Sequence, residues 1–146
     1  MAEAVTLREV EPADLPIFFE HQRDPVALMM AGMPGRDRTA FDEHWARILA
    51  DDSSRIRTIV AGGEVVGNVL SLERGGRREV GYWIGRDHWG RGVATAALVA
   101  FLGEETARPL HAGVEPQNGG SLRVLEKCGF AVCGEDDEGL VLLRLD

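Results

Sequence analysis

Two glycine pairs, Gly62-Gly63 and Gly75-Gly76, do most to limit what this chain can fold into. The first separates "RIRTIVA" from "EVVGNVLSLE", and the second separates that run from "EVGYWIG". All three runs are rich in β-branched and apolar residues. A two-glycine link supplies the positive φ angles of a tight hairpin, so three consecutive strands are expected to run antiparallel. Directly after the third strand comes "HWGRGVAT", His88 to Thr95, and the apolar spacing changes. Val93, Ala94, Ala97, Leu98, Phe101 and Leu102 recur at helical intervals.

The flanks complete a mixed α/β (α+β) pattern. "AVTLREV" reads as a weak first strand. "EPADLPIFFEHQRDP" reads as a short helix opened by Pro12 and Asp14, and "MMAGMPGRD" as a loop. Thr39 is expected to cap a helix over "AFDEHWARILA", burying Phe41, Trp45, Ile48 and Leu49 on one face. "LHAGVE" reads as a strand. "NGGSLRVLEKCGF" reads as a helix that starts at Asn118 and closes at Gly129, and "FAVCGE" with "GLVLLRLD" as a last hairpin. The expected order is β-α-α-β-β-β-α-β-α-β-β, with no repeat or linker, so residues 1–146 read as one domain.

Charge and composition narrow the partners. Apolar residues make up 45% and charged residues 27%, which supports a packed core and argues against disorder. A net charge of −8 gives no electrostatic footprint for nucleic acid or anionic lipid. No run is long enough to span a membrane, and the first residues lack the pattern of a secretory signal. Cys128 and Cys133 stand in no metal or redox spacing, so no metal site is expected and each reads as a small buried apolar residue. A reduced, cytoplasmic protein is the simplest expectation.

The glycines of "HWGRGVAT" stand at a helix start, where unpaired N–H groups point along the axis and attract anions. Gly90 and Gly92 remove the Cβ atoms that would hold a phosphate off, Arg91 adds a cation and Thr95 a hydroxyl. The plain alternative is a strand-to-helix connection. The ending is not that of a P-loop, and the spacing does not match the dinucleotide fingerprint.

The segment resembles the acyl-coenzyme A loop of the GNAT N-acetyltransferase superfamily, Gln/Arg-x-x-Gly-x-Gly/Ala, with Gly92-Val93-Ala94 as its ending. Trp89 stands where Gln or Arg is usual, as in the RimJ/RimL-like branch. "REVGYWIG" and "EPQNGGSLRVLEKCGF" resemble that branch too, and the similarity runs from about Ile56 to Gly134. It implies a mostly antiparallel central sheet, splayed after the fourth strand and flanked by about four helices. It further implies acetyl-CoA as cosubstrate and a primary amine as acceptor, in a monomer or homodimer. An acyl-CoA-binding regulatory module without turnover is the alternative on the same fold.

Site residues follow from the same resemblance. Backbone N–H groups from Gly90 to Thr95 would cradle the pyrophosphate, beside Trp89 and Arg91. The strand carrying Trp83 and Ile84 would bind the pantetheine arm, the sheet parting after Ile84 with Gly85 as the break. The Ile84 N–H would polarise the thioester carbonyl. Asn118 would contact the pantetheine, or act only as a helix cap. Ser121 would protonate the departing thiolate, with Tyr82 as competing acid on the face opposite Trp83. Glu79 would take the amine proton, or merely pair with Arg77 or Arg78. Arg123 and Lys127 would meet the 3′-phosphate. His44 and Trp45 would wall the acceptor pocket, unless Trp45 is core and His44 exposed.

Overall fold

Both glycine pairs turn hairpins, each residue at a φ between 58° and 79°. They join β2 (Arg55–Ala61), β3 (Glu64–Arg74) and β4 (Arg77–Ile84), paired antiparallel with Ala61 opposite Glu64 and Arg74 opposite Arg77. The computed structural model describes residues 4–146. Ahead of the meander lie β1 (Val5–Arg8), α1 (Asp14–Gln22), α2 (Pro25–Ala31) and α3 (Arg38–Ala50). After it come a 3₁₀ turn (Arg86–His88), α4 (Val93–Glu104), β5 (Leu110–Val114), α5 (Gly119–Lys127), β6 (Ala131–Glu135) and β7 (Val141–Leu145). The described strands form one sheet in the order β1-β2-β3-β4-β5-β7-β6. All neighbours are antiparallel except β4 and β5.

That one parallel contact is brief. Only Arg78 with Leu110 and Glu79 with His111 are paired, after which the two strands diverge. The sheet therefore opens between the fourth and fifth strands, as the resemblance implies. The parting begins after Glu79, several residues before the expected position at Ile84. Gly85 stays on the ladder with β3, its N–H donating to the Val66 carbonyl at 2.8 Å.

Two apolar layers cover the sheet. On one face α4 buries Val93, Ala97, Leu98 and Phe101 with Ile59, Val69, Val80, Ile84, Leu110, Ala112, Val114 and Leu143. On the other, Phe18, Phe41, Trp45 and Ile56 form a second cluster under α1 and α3. Trp45 is thus core, stacked 5.1 Å from Phe18. Leu49, expected on the same buried face, is 46% exposed because α3 turns it past the edge of that cluster. None of the described helices is long and apolar enough to cross a membrane.

Five α-helices replace the expected four. Residues 25–31, the last three of them read as loop, form α2. Its start carries a strong local signal: the Asp24 carboxylate accepts from the Val26 and Ala27 N–H groups, and Pro25 occupies the first turn. The Met29-Met30 pair hid the helix, because the glycines and proline beyond it dominated the reading. The cap of α3 also moves. Asp37, not Thr39, accepts the Ala40 N–H at 2.8 Å, and Thr39 lies inside the first turn. Asp37→Ala is expected to cost about 1 kcal/mol and Thr39→Ala only a few tenths, measured by urea unfolding. The Cys133 reading fails as well: β6 is the sheet's outer strand and its cysteine is exposed, while Cys128 is half-buried against the core.

Candidate active site

The helix start that follows β4 carries no side-chain cap. Gly92 sits at its head with φ 74°, and among the described residues no side-chain cap is made to the N–H groups of the first turn. They are thus left for a ligand or water. A Cβ built on Gly90 or Gly92 would meet nothing within 4 Å, so the loop faces open space. Arg91 is exposed between the two glycines. The geometry suits an anion with several oxygens, held by backbone donors and the positive end of the helix dipole.

This loop is one end of a cleft of about 560 Å³. Its back is the end of β4, Tyr82, Trp83 and Ile84; one wall is α2, with Ala27, Met30 and Ala31; the other is α5. Of the residues picked out from sequence, Trp83, Ile84, Trp89, Gly90, Gly92, Val93, Ala94, Thr95, Asn118, Ser121 and Arg123 line it together. So do Tyr82 and Lys127. The α2 residues and His88 were missed. The Asp24-Pro25 start of α2 was the signal that would have found the former, while nothing local distinguishes His88.

Backbone direction gives the cleft its second set of donors. Because the Gly85 N–H goes to Val66, the alternation of an antiparallel ladder turns the N–H of Ile84 away from β3. It points to the side on which β5 has departed. The Ile84 carbonyl on that side is taken by the Trp89 indole N–H at 2.9 Å, which fixes Trp89 beside the loop. Trp83 is held differently, its indole N–H donating to the His21 carbonyl at 3.2 Å. Both Tyr82 and Trp83 reach the cleft, although they alternate across the strand, because the opening lies at the strand's free end.

Two candidate acids turn out to be one pair. The Tyr82 and Ser121 hydroxyl oxygens lie 2.6 Å apart, linking β4 to α5. Burial pushes the Tyr82 phenol above its ordinary value, and the bond to Ser121 offsets only part of that. The phenol is therefore a proton donor throughout the neutral range. Asn118 caps α5, its amide oxygen accepting the Ser121 N–H at 3.2 Å, so the cap also orients the serine. Arg123 and Lys127 stand on the same helix at the cleft rim.

Glu79 is set apart from this cleft. It lies at the foot of the opening, beside His111, and its nearest cation is Arg74 at 3.6 Å rather than Arg77 or Arg78. Arg78 is engaged elsewhere, with the buried Glu105 at 2.7 Å. Glu79 lies four positions before Trp83 along the strand, a span of roughly 13 Å. His44 is half-buried, and burial first, then the charges of Arg36, Arg47 and Arg74, hold its imidazole below the usual value.

Residues 4–131 match the family model described as an acetyltransferase (GNAT) domain. The uncharacterized N-acetyltransferase p20 of Bacillus licheniformis is 30% identical over 142 residues, covering 88% of this chain and 79% of that protein. The crystal structure of an acetyltransferase from Agrobacterium tumefaciens superposes with a TM-score of 0.84 at 25% identity, over 100% of this chain and 92% of the other. Spermidine N-acetyltransferase from Vibrio cholerae, solved with CoA and spermine, gives 0.84 at 17% identity, over 97% and 94%. At that identity the likeness is one of fold.

Proposed function

The chain belongs to the GNAT acetyltransferase family, and we propose that it moves an acetyl group from acetyl-CoA directly to a primary amine. Within the family we place it in the RimJ/RimL-like branch, on its Trp89-Gly90-Arg91-Gly92 loop. The observation that carries the reading is the uncapped head of α4 opening onto a cleft backed by an outward Ile84 N–H. A pyrophosphate at the loop and a thioester along the end of β4 fit those two sets of donors. The amine-bound neighbour from Vibrio cholerae supports an amine acceptor.

Each residue then has a task. Backbone N–H groups from Gly90 to Thr95 bind the pyrophosphate, with Arg91 adding charge. The Ile84 N–H stabilises negative charge on the carbonyl oxygen as the amine attacks. Asn118 holds the pantetheine arm while capping α5. Tyr82 gives its proton to the leaving sulfur, and Ser121 supports that hydroxyl. Arg123 and Lys127 meet the 3′-phosphate. Glu79 accepts the amine proton; its distance from Trp83 means that it does so through water. Nothing in this sequence of steps needs a covalent enzyme intermediate, and alignment of the two substrates supplies most of the rate.

The test is acetyl transfer to a panel of amines, paired with calorimetric titration of acetyl-CoA. Glu79→Gln is expected to lower kcat/KM about tenfold at neutral pH, below the ~10²–10⁴ of a direct base because water intervenes. Coenzyme affinity should stay unchanged. Full turnover by that variant removes Glu79 from the mechanism. A chain that binds coenzyme but acetylates no amine favours the regulatory module instead.

A further inference from the structure

Trp83 lines a second hollow besides the cleft, among α1, α2 and the segment leading into α3. Most of its lining is apolar: Phe19, Leu28, Met33, Pro34, Phe41 and Trp83. The two exceptions are Gln22, in the last turn of α1, and Arg36, just ahead of α3, both half-buried. Among the described residues, neither of these side chains makes a hydrogen bond or an ion pair. The Trp83 indole N–H is already taken by the His21 carbonyl. A half-buried guanidinium without a counterion loses hydration that nothing in the chain returns.

The acids around the hollow are engaged elsewhere. Asp37, next to Arg36 in the chain, accepts the Ala40 N–H as the cap of α3. Asp42 pairs with Arg38 at 2.9 Å and Glu20 with Arg23 at 3.4 Å. Those two arginines also stand over the Phe19 ring, at 5.4 and 5.7 Å from its centre. The charges that act on His44, on α3, are those of Arg36, Arg47 and Arg74, which add to burial in holding its imidazole below the ordinary value. The field in this corner is therefore positive, although the chain as a whole carries a net charge of −8. A positive corner attracts anions and repels polycations.

We propose that Arg36 and Gln22 bind a carboxylate carried by the acceptor, which makes the acceptor a small amino acid rather than a polyamine. This names the substrate class for, and rests on, the N-acetyltransferase reading above. The planar guanidinium matches a carboxylate with two parallel N–H donors, and the Gln22 amide adds a third. The hollow holds about 10 Å³, the room of one oxygen-sized group. One carboxylate oxygen enters it, the other stays at its mouth, and a ring or a longer peptide has no place there. Trp83 lines both the hollow and the cleft and is followed by Ile84, so the alkyl chain of the acceptor lies across the indole with its amine toward the thioester. The amine nitrogen bonds to the acetyl carbon as the C–S bond breaks, and its electron pair and a proton leave with sulfur. R–NH₂ and acetyl-CoA thus give an N-acetylated amino acid and CoA thiol, with the carboxylate taking no part in the chemistry.

The test is steady-state kinetics on straight-chain ω-amino acids, on diamines and alkylamines of matching length, and on a short acidic peptide with a free N-terminus. The wild type should favour the amino acids over the others by about tenfold in kcat/KM. Arg36→Gln should raise the amino-acid KM about tenfold, while kcat, the alkylamine KM and the calorimetric acetyl-CoA Kd stay unchanged. Arg36→Lys should recover part of that loss, and Gln22→Leu should show a smaller rise of the same kind. A merely structural role would move the amino-acid and alkylamine KM alike. Equal changes in both, or a wild-type preference for the diamines or the peptide, overturn the carboxylate site and leave the acetyltransferase reading standing. If no amine is acetylated, the ω-amino acids are titrated into the CoA-loaded protein and followed by tryptophan fluorescence. Quenching that Arg36→Gln abolishes keeps the carboxylate site and removes the transfer; no quenching removes both.

Discussion

Gly92→Val is expected to weaken acetyl-CoA binding by about 100-fold while the chain stays folded. That factor corresponds to about 2.7 kcal/mol. Gly92 heads α4 at φ 74°, and no side chain caps the helix behind it. A β-branched residue at that angle is strained by roughly 1–2 kcal/mol. The strain is relieved by turning the first peptide of the helix, which is the one whose N–H the pyrophosphate needs. The added methyls also occupy the space that the bare loop keeps open. Folding should survive, because no neighbouring atom is displaced and the buried residues of α4 remain in place. Calorimetry gives the affinity and circular dichroism the helix content. Unchanged affinity would remove the anion site, and with it the assignment of the whole cleft.

The largest loss of stability is expected at a residue that has no part in the chemistry. Asp14→Ala should destabilise the fold by about 3 kcal/mol in urea unfolding, near the lower end for breaking a buried ion pair, because Arg8 is partly hydrated. The Asp14 carboxylate is 2% exposed. It accepts two bonds from Arg8 at 2.8 and 2.9 Å, one from the Glu11 N–H at 2.8 Å and one from the Thr58 hydroxyl at 2.7 Å. It thus ties β1, the head of α1 and β2 together. Burial by itself would raise its pKa, but those hydrogen bonds and the Arg8 charge bring it below the usual carboxylate value. A depressed folded pKa means stability that is fully present above the unfolded value, about 3.9, and lost as pH falls through the folded value. The wild type should therefore lose stability steeply below about pH 4. Asp14→Ala should start lower and show a shallower acid limb. A variant as stable as wild type, with the same acid limb, would remove this network as a support of the fold.

These two residues also mark how far the sequence could be read. Gly92 was legible because its meaning is local: a glycine before a 3.6-residue apolar stripe describes a helix start wherever the rest of the chain goes. Asp14 was legible only as a helix opener. Its partner Thr58 lies 44 positions away, and no local pattern points from one to the other. The same limit applies to Tyr82 and Ser121, which from sequence were rivals for one role and prove to share a hydrogen bond. Glu79 was chosen for its strand, yet what stands beside it, His111, depends on how β5 returns to the sheet.

Turn chemistry and periodicity settled the antiparallel meander, the mixed α/β class and the bare helix head, since each is the preference of a few adjacent residues. Only the folded chain decided where β4 and β5 separate, that α2 walls the cleft, and which hydroxyls and carboxylates meet. Those facts rest on register and on packing between distant segments. The free energy of such contacts belongs to pairs of elements rather than to any one stretch of sequence.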